Sequence, residues 1–296
     1  MIQQQSRDER LFHTLGYIVV GIMAVICIFP MYLIIVGSFM SNEVIVKYGF
    51  SLWPEAFSLD AYRLIFDNPK HILDAYKVTI IVTVCGTLLL LFLCTMTGYV
   101  LSRQDYKYRN KFSFYFFFTT IFGGGLVPFY ILAVNYLKFK EHPLIAMITP
   151  GIFGYFYVII IRTYISKIPS SITESVKIDG ANDFTIYARI IMPISKPILA
   201  TVGLFSALGF WNDWFNCMLF VSEKKFYNLQ YYLYTTLNSV APMNAVMANA
   251  NISYTTPPTH TFKLAMTIVT IGPILLLYPF LQKYFIKGIA VGAVKG

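Results

Sequence analysis

Six apolar stretches of 18 or more residues, with few or no charges, divide this chain: approximately Leu15–Phe39, Ala75–Leu101, Phe112–Val134, Leu144–Ile161, Ile198–Val221 and Phe262–Ile286. At 1.5 Å of rise per residue, about 20 such residues cross the roughly 30 Å hydrocarbon core of a bilayer. A helix satisfies its own backbone polar groups there. The expected fold class is therefore all-α: a polytopic membrane bundle of six transmembrane helices, with 1–296 as a single transmembrane domain. Composition agrees, because 57% hydrophobic and 12% charged residues leave too little charge to solvate a soluble enzyme of 296 residues. The fourth stretch is the shortest, and Arg162 at its end is placed to snorkel.

The net charge of +9 is distributed unevenly. With the N-terminus inside, the inner side holds fourteen Lys and Arg against six Asp and Glu, and the outer side holds nine against eight when Asp213, toward the outer end of its span, is counted with it. The difference, about +8 against +1, orients the chain with both termini cytoplasmic. The basic excess is read as facing inner-leaflet lipid headgroups, and no nucleic-acid partner is expected.

The first stretch is too long for a cleaved signal peptide and lacks a small-x-small site, so it is expected to remain as a span. Cys27, Cys85, Cys94 and Cys217 all fall within predicted spans without metal-ligand spacing, and they are read as packing residues, with no metal site.

The long internal connection, residues 162–197, reads RTYISKIPSSITESVKIDGANDFTIYARIIMPISKP. Ser171 and Glu174 match an S-x-x-E capping box that would start a helix just after Pro169. Gly180 offers the left-handed conformation that ends a helix, and Asn182 can cap a second one running to the Pro193 region. Two short helices meeting at Asp179–Gly180–Ala181 are expected on the cytoplasmic side. By spacing alone this is equally an amphipathic surface hairpin.

Glu174–Ser175–Val176, Gly180 six positions later and then Ile190–Ile191–Met192–Pro193 resemble the EAA loop of binding-protein-dependent ABC importer permeases. In that pattern EAA is followed by three residues, Gly, nine residues and I-x-L-P. Ser175, Val176 and Met192 depart from it conservatively. FSLDAYRLIF after the first span, GGGLVPFYIL, the cluster Phe210–Trp211–Asn212–Asp213–Trp214 and the ending YPFLQKYFIKGIAVGAVKG extend the resemblance over the chain. They are similar to the maltose-transporter type of permease and its LplC-type carbohydrate-uptake subfamily.

The resemblance implies a type I ABC importer permease fold in a bacterial plasma membrane. It also implies an oligosaccharide or other carbohydrate as solute, a second homologous permease subunit, a cytoplasmic ABC ATPase dimer and an extracytoplasmic solute-binding protein. Residues 162–197 would form the ATPase-coupling loop, with Glu174 pairing to a basic residue of the ATPase and Ser175, Val176, Asp179, Gly180, Ala181 and Pro193 shaping the docked element. Asp179 either joins that contact or caps locally. The chain has no G-x-x-x-x-G-K-[S/T], so it is expected to bind no cofactor itself, with ATP and Mg used by the partner ATPase.

For the solute, Asp213 is the acid placed well inside a predicted span, about 22 Å along from Ile198. Trp211, Asn212 and Trp214 beside it suit a sugar, by stacking and by hydrogen bonding to hydroxyls. They equally suit a helix contact and an aromatic belt. Gly123, Gly124 and Gly125 with Pro128 permit a break that lines the pathway or merely packs, and Tyr155 and Tyr157 invite the same two readings, as do Pro273 and Pro279. Residues 40–74 and 222–261 are the natural docking surface for a binding protein. The alternatives are an ion-coupled secondary transporter, for which Asp213 is a thin endowment of intramembrane charge, and a permease for a non-sugar solute. His13, His71, His142 and His260 form no catalytic spacing, so no enzyme is expected.

Overall fold

The computed structural model describes residues 7–54, 56–67, 69–238 and 260–275, and among them the regular structure is helical. The expected ending 278–296, Pro279, the end of the sixth predicted span and most of the second external segment lie outside the described residues. By contacts, residues up to Pro69 with 236–272 form one compact unit, and Lys70–Thr235 with the residues from Pro273 form another.

In the first unit, α1 (Arg7–Ser38) is long and apolar, and nearly all of its side chains are exposed. That suits a helix surrounded by lipid, where no water drives burial. After it the chain folds back through α2 (Asn42–Tyr48) and α3 (Asp60–Asp67). Met40 and Phe57 form an isolated antiparallel bridge, and Phe39 stacks between Phe57 and Tyr62 at 5.7 and 5.1 Å. The Ser38 and Tyr62 hydroxyls share a 2.8 Å hydrogen bond.

The second unit is built on α4 (Pro69–Ser102), the other unbroken helix among the described residues that is long and apolar enough to cross a membrane. The remaining elements are α5 (Arg109–Ile121), α6 (Leu126–Tyr136), α7 (Pro143–Gly151), α8 (Tyr155–Ile165), α9 (Ser170–Ile178), α10 (Asp183–Ile194), α11 (Lys196–Trp211) and α12 (Phe215–Phe220). α13 (229–238) follows, and α14 (His260–Leu275) belongs for most of its length to the first unit. The largest core of the second unit gathers Leu90, Cys94 and Tyr99 of α4 with Val158 and Ile161 of α8, Ile186, Tyr187 and Ile191 of α10, and Val202 of α11. Close approach is permitted by Gly98, where a Cβ would stand 2.9 Å from Ile161 Cγ2. In lipid such contacts stabilise through packing and interhelical hydrogen bonds. Thr95 and Tyr187 supply one of these bonds at 2.6 Å, and Arg162 donates another to Ser113 Oγ at 2.8 Å.

Three of the predicted spans are broken rather than continuous. α5 and α6 meet at 104° across Gly123–Gly125, and α7 and α8 at 50°. The fifth predicted span ends as a helix at Trp211 and resumes at Phe215, so Asp213 lies in a break and not along a helix. Glycine explains the first: Gly125 has φ +85°, which other residues adopt only at a cost. With bent pairs counted as single spans, up to five helices among the described residues meet the length and composition of a membrane crossing, and α14 is shorter over its described length. Of the cysteines, Cys94 and Cys217 are buried as expected of packing residues, whereas Cys27 and Cys85 are exposed on α1 and α4.

Candidate functional site

The segment 162–197 folds as two helices around a turn, with details the sequence did not disclose. α9 begins at Ser170 with Pro169 at the N-cap, and no side chain caps it. The Ser171–Glu174 capping box does not form, because the N-cap is Pro169, two residues earlier, which puts Ser171 inside the first turn. Ser175 Oγ instead donates to the Ser171 and Ile172 carbonyls. At the other end Gly180 has φ +82°, its N–H bonds to Lys177 O at 3.0 Å, and the Ala181 N–H bonds to Val176 O at 3.2 Å. This is a Schellman closure, completed by the apolar pair Val176 and Ala181, both packed partly against the core.

Asn182 caps α10 by accepting from the Thr185 N–H at 2.8 Å. This helix ends in the Pro193 region, as expected. A π-turn over Tyr187–Ile191 relaxes the hydrogen-bond ladder ahead of the proline, and α10 runs on to Ile194 before bending 81° into α11. Asp179 is the C-cap residue of α9, and the Glu174 and Asp179 carboxylates take part in no ion pair among the described residues. Beside the turn Ile178 is 86% exposed, and Phe184 is 61% exposed. These two are the site residues that sequence reasoning missed. The signal was apolar residues on the polar face of a short helix.

The second region is the break after α11. Asn212, Asp213 and Trp214 line a cavity of about 510 Å3 together with Tyr157, Ser206 and Phe210. Asp213 accepts from the Asn216 N–H at 3.1 Å and the Asn216 side-chain amide at 2.8 Å, which orients α12. Asn212 accepts from Gln230 Nε2 at 3.0 Å, and Trp214 stacks on Tyr234 at 4.8 Å. The Ser206 hydroxyl is buried without a hydrogen-bond partner among the described residues. Trp211 stands apart, buried with Ala75 and Leu229. Tyr155 is buried against Phe116, and its neighbour Tyr157 is the tyrosine on the cavity. Gly123–Gly125 form the exposed elbow between α5 and α6 and do not line it.

Polar groups lining a cavity at a helix break, an exposed helical hairpin and long lipid-compatible helices suit a multi-pass membrane protein of the permease class. Residues 95–291 match the family model of the binding-protein-dependent transport system inner membrane component, and the chain belongs to that family. It is 37% identical to the polygalacturonan/rhamnogalacturonan transport system permease protein YtcP of Bacillus subtilis (strain 168), over 97% of this chain and 99% of that one. It is 35% identical to protein LplC of the same organism, over 98% and 97%. Among solved structures it is similar to a bacterial ABC transporter that imports the acidic polysaccharide alginate, with a TM-score of 0.81, 27% identity and coverage of 95% of this chain and 99% of that one. It is thus a non-catalytic membrane subunit of a bacterial plasma-membrane importer whose ATPase is a separate subunit.

Proposed function

We propose that this chain is one permease subunit of an ATP-driven importer for an oligosaccharide or polysaccharide fragment. It forms half of the translocation pathway, with six spans and both termini cytoplasmic, in a single transmembrane domain 1–296. Carbohydrate as the solute is supported by the polysaccharide named for YtcP and for the alginate importer. The aromatic and amide groups around the 510 Å3 cavity support it too, since sugar rings stack on Trp214 and Tyr157 while Asn212 and Asp213 meet hydroxyls. A second homologous permease closes the pathway, a dimer of ATPases binds ATP and Mg below, and an extracytoplasmic binding protein delivers solute to residues 40–74 and 222–261.

The observation that carries the coupling role is α9: no residue in it is buried, its carboxylate Glu174 is unpaired among the described residues, and Ile178 projects at its closed end. A short rigid helix with an apolar knob and a free acid is suited to sit in a cleft of a soluble motor and transmit its movement as a rigid body. Pull-down of the ATPase by the intact chain tests this reading. Glu174→Lys and Gly180→Pro are expected to abolish capture, and retention by both variants overturns it.

A further inference from the structure

Between the bundle and the two helices of the hairpin stands a cluster of four charges. Arg103, just past the end of α4, donates to both carboxylate oxygens of Asp105 at 2.9 and 2.5 Å, and its other terminal nitrogen reaches Asp183 Oδ1 at 2.5 Å. Lys177 of α9 lies 3.4 Å from Asp105 and 3.8 Å from Asp183. The guanidinium also lies 5.9 Å from the Tyr99 ring centroid, and its side chain is only 20% exposed.

The surroundings explain why the charges matter. Arg103 and Asp105 line cavities on both sides of the cluster, of about 390 and 470 Å3, so packing is sparse where the hairpin meets the bundle. α9 touches the core mainly through Val176. A single exposed ion pair holds two elements only weakly. A planar fork shared between two carboxylates, with a lysine bridging them from a third element, fixes direction as well as distance.

We infer that Arg103, with Asp105, Lys177 and Asp183, is a positioning clamp that locks α9 and α10 to the cytoplasmic end of α4, so that movement of the hairpin is delivered to α4. This rests on the coupling role proposed for α9. Without the clamp the hairpin would still dock but would pivot, and ATP would be hydrolysed with less movement of the bundle.

The test has two readouts on the full chain. For the clamp itself, a spin label on Ile178→Cys, with Cys27 and Cys85 replaced by Ser, reports α9 mobility in nanodiscs. Arg103→Gln is expected to raise it and Arg103→Lys to give an intermediate value. For coupling, the assembled transporter in proteoliposomes is expected to keep ATPase capture while Arg103→Gln lowers solute moved per ATP by about fivefold. Arg103→Gln combined with Asp183→Asn is expected to lose less than the sum of the two single variants, because both remove the Arg103–Asp183 contact. Unchanged mobility overturns the clamp, and raised mobility with an unchanged transport ratio overturns its role in coupling. Neither depends on the outcome with Glu174→Lys, which tests docking.

Discussion

Asn228 donates its side-chain amide to the backbone carbonyl of Asp213, joining the start of α13 to the break between α11 and α12. The same side chain accepts from the Tyr231 N–H at 2.9 Å, and the residue is 1% exposed. Asn228→Leu leaves both backbone groups unsatisfied in a buried place, a loss of about 1–3 kcal/mol. A lower unfolding temperature in detergent is expected, together with reduced solute uptake. A variant that melts with the parent would show that the break holds without Asn228.

The ring of Phe210, on the cavity wall, is held in a slot of glycines. A Cβ on Gly86 would stand 2.6 Å from it, and one on Gly151 2.8 Å. Gly86→Ala and Gly151→Ala are each expected to push the ring off its seat, at about 1–3 kcal/mol. Uptake should fall while ATPase capture persists, because α9 is untouched. Loss of capture along with uptake would argue for global damage instead.

Thr95 and Tyr187 tie α4 to α10 through a buried hydrogen bond of 2.6 Å. Interhelical bonds in lipid average about 0.6 kcal/mol and reach about 1.7. A double-mutant cycle with Thr95→Val and Tyr187→Phe is expected to return a coupling energy in that range by unfolding in mixed micelles. A value of zero would mean that the helices are held by packing alone.

Acid should spare the clamp until well below neutrality. The Arg103 guanidinium hydrogen-bonded to Asp105 holds that carboxyl well below the usual carboxylate range, with Lys177 adding in the same direction. A depressed carboxyl stabilises the fold above its unfolded value, near 3.9, and that contribution is lost as pH falls through the lower folded value. A fluorophore on Ile178→Cys is therefore expected to report the same environment from pH 8 to pH 5. Asp105→Asn should change its signal already at pH 7.

Much of this protein is legible in its sequence, because lipid imposes simple rules. Long apolar runs located α1 and α4, and backbone chemistry local to the hairpin placed the Gly180 closure and the Asn182 cap correctly. A local rule failed where a neighbour in sequence pre-empted it: Pro169 displaced the capping box. Of the aromatic candidates Trp211, Trp214, Tyr155 and Tyr157, the fold buries Trp211 and Tyr155 and leaves Trp214 and Tyr157 on the cavity, because the helix break after Trp211 and the turn of α8 aim neighbouring rings in different directions.

Hydropathy and charge alone thus determined that the chain is a helical membrane protein with a polar segment at 162–197, since the cost of unsatisfied backbone and misplaced charge is paid residue by residue. Only the tertiary structure decided that Arg103 meets Asp183 and that Asn228 meets Asp213. Those partners are far apart in sequence, and their meeting depends on the angles at which broken helices pack.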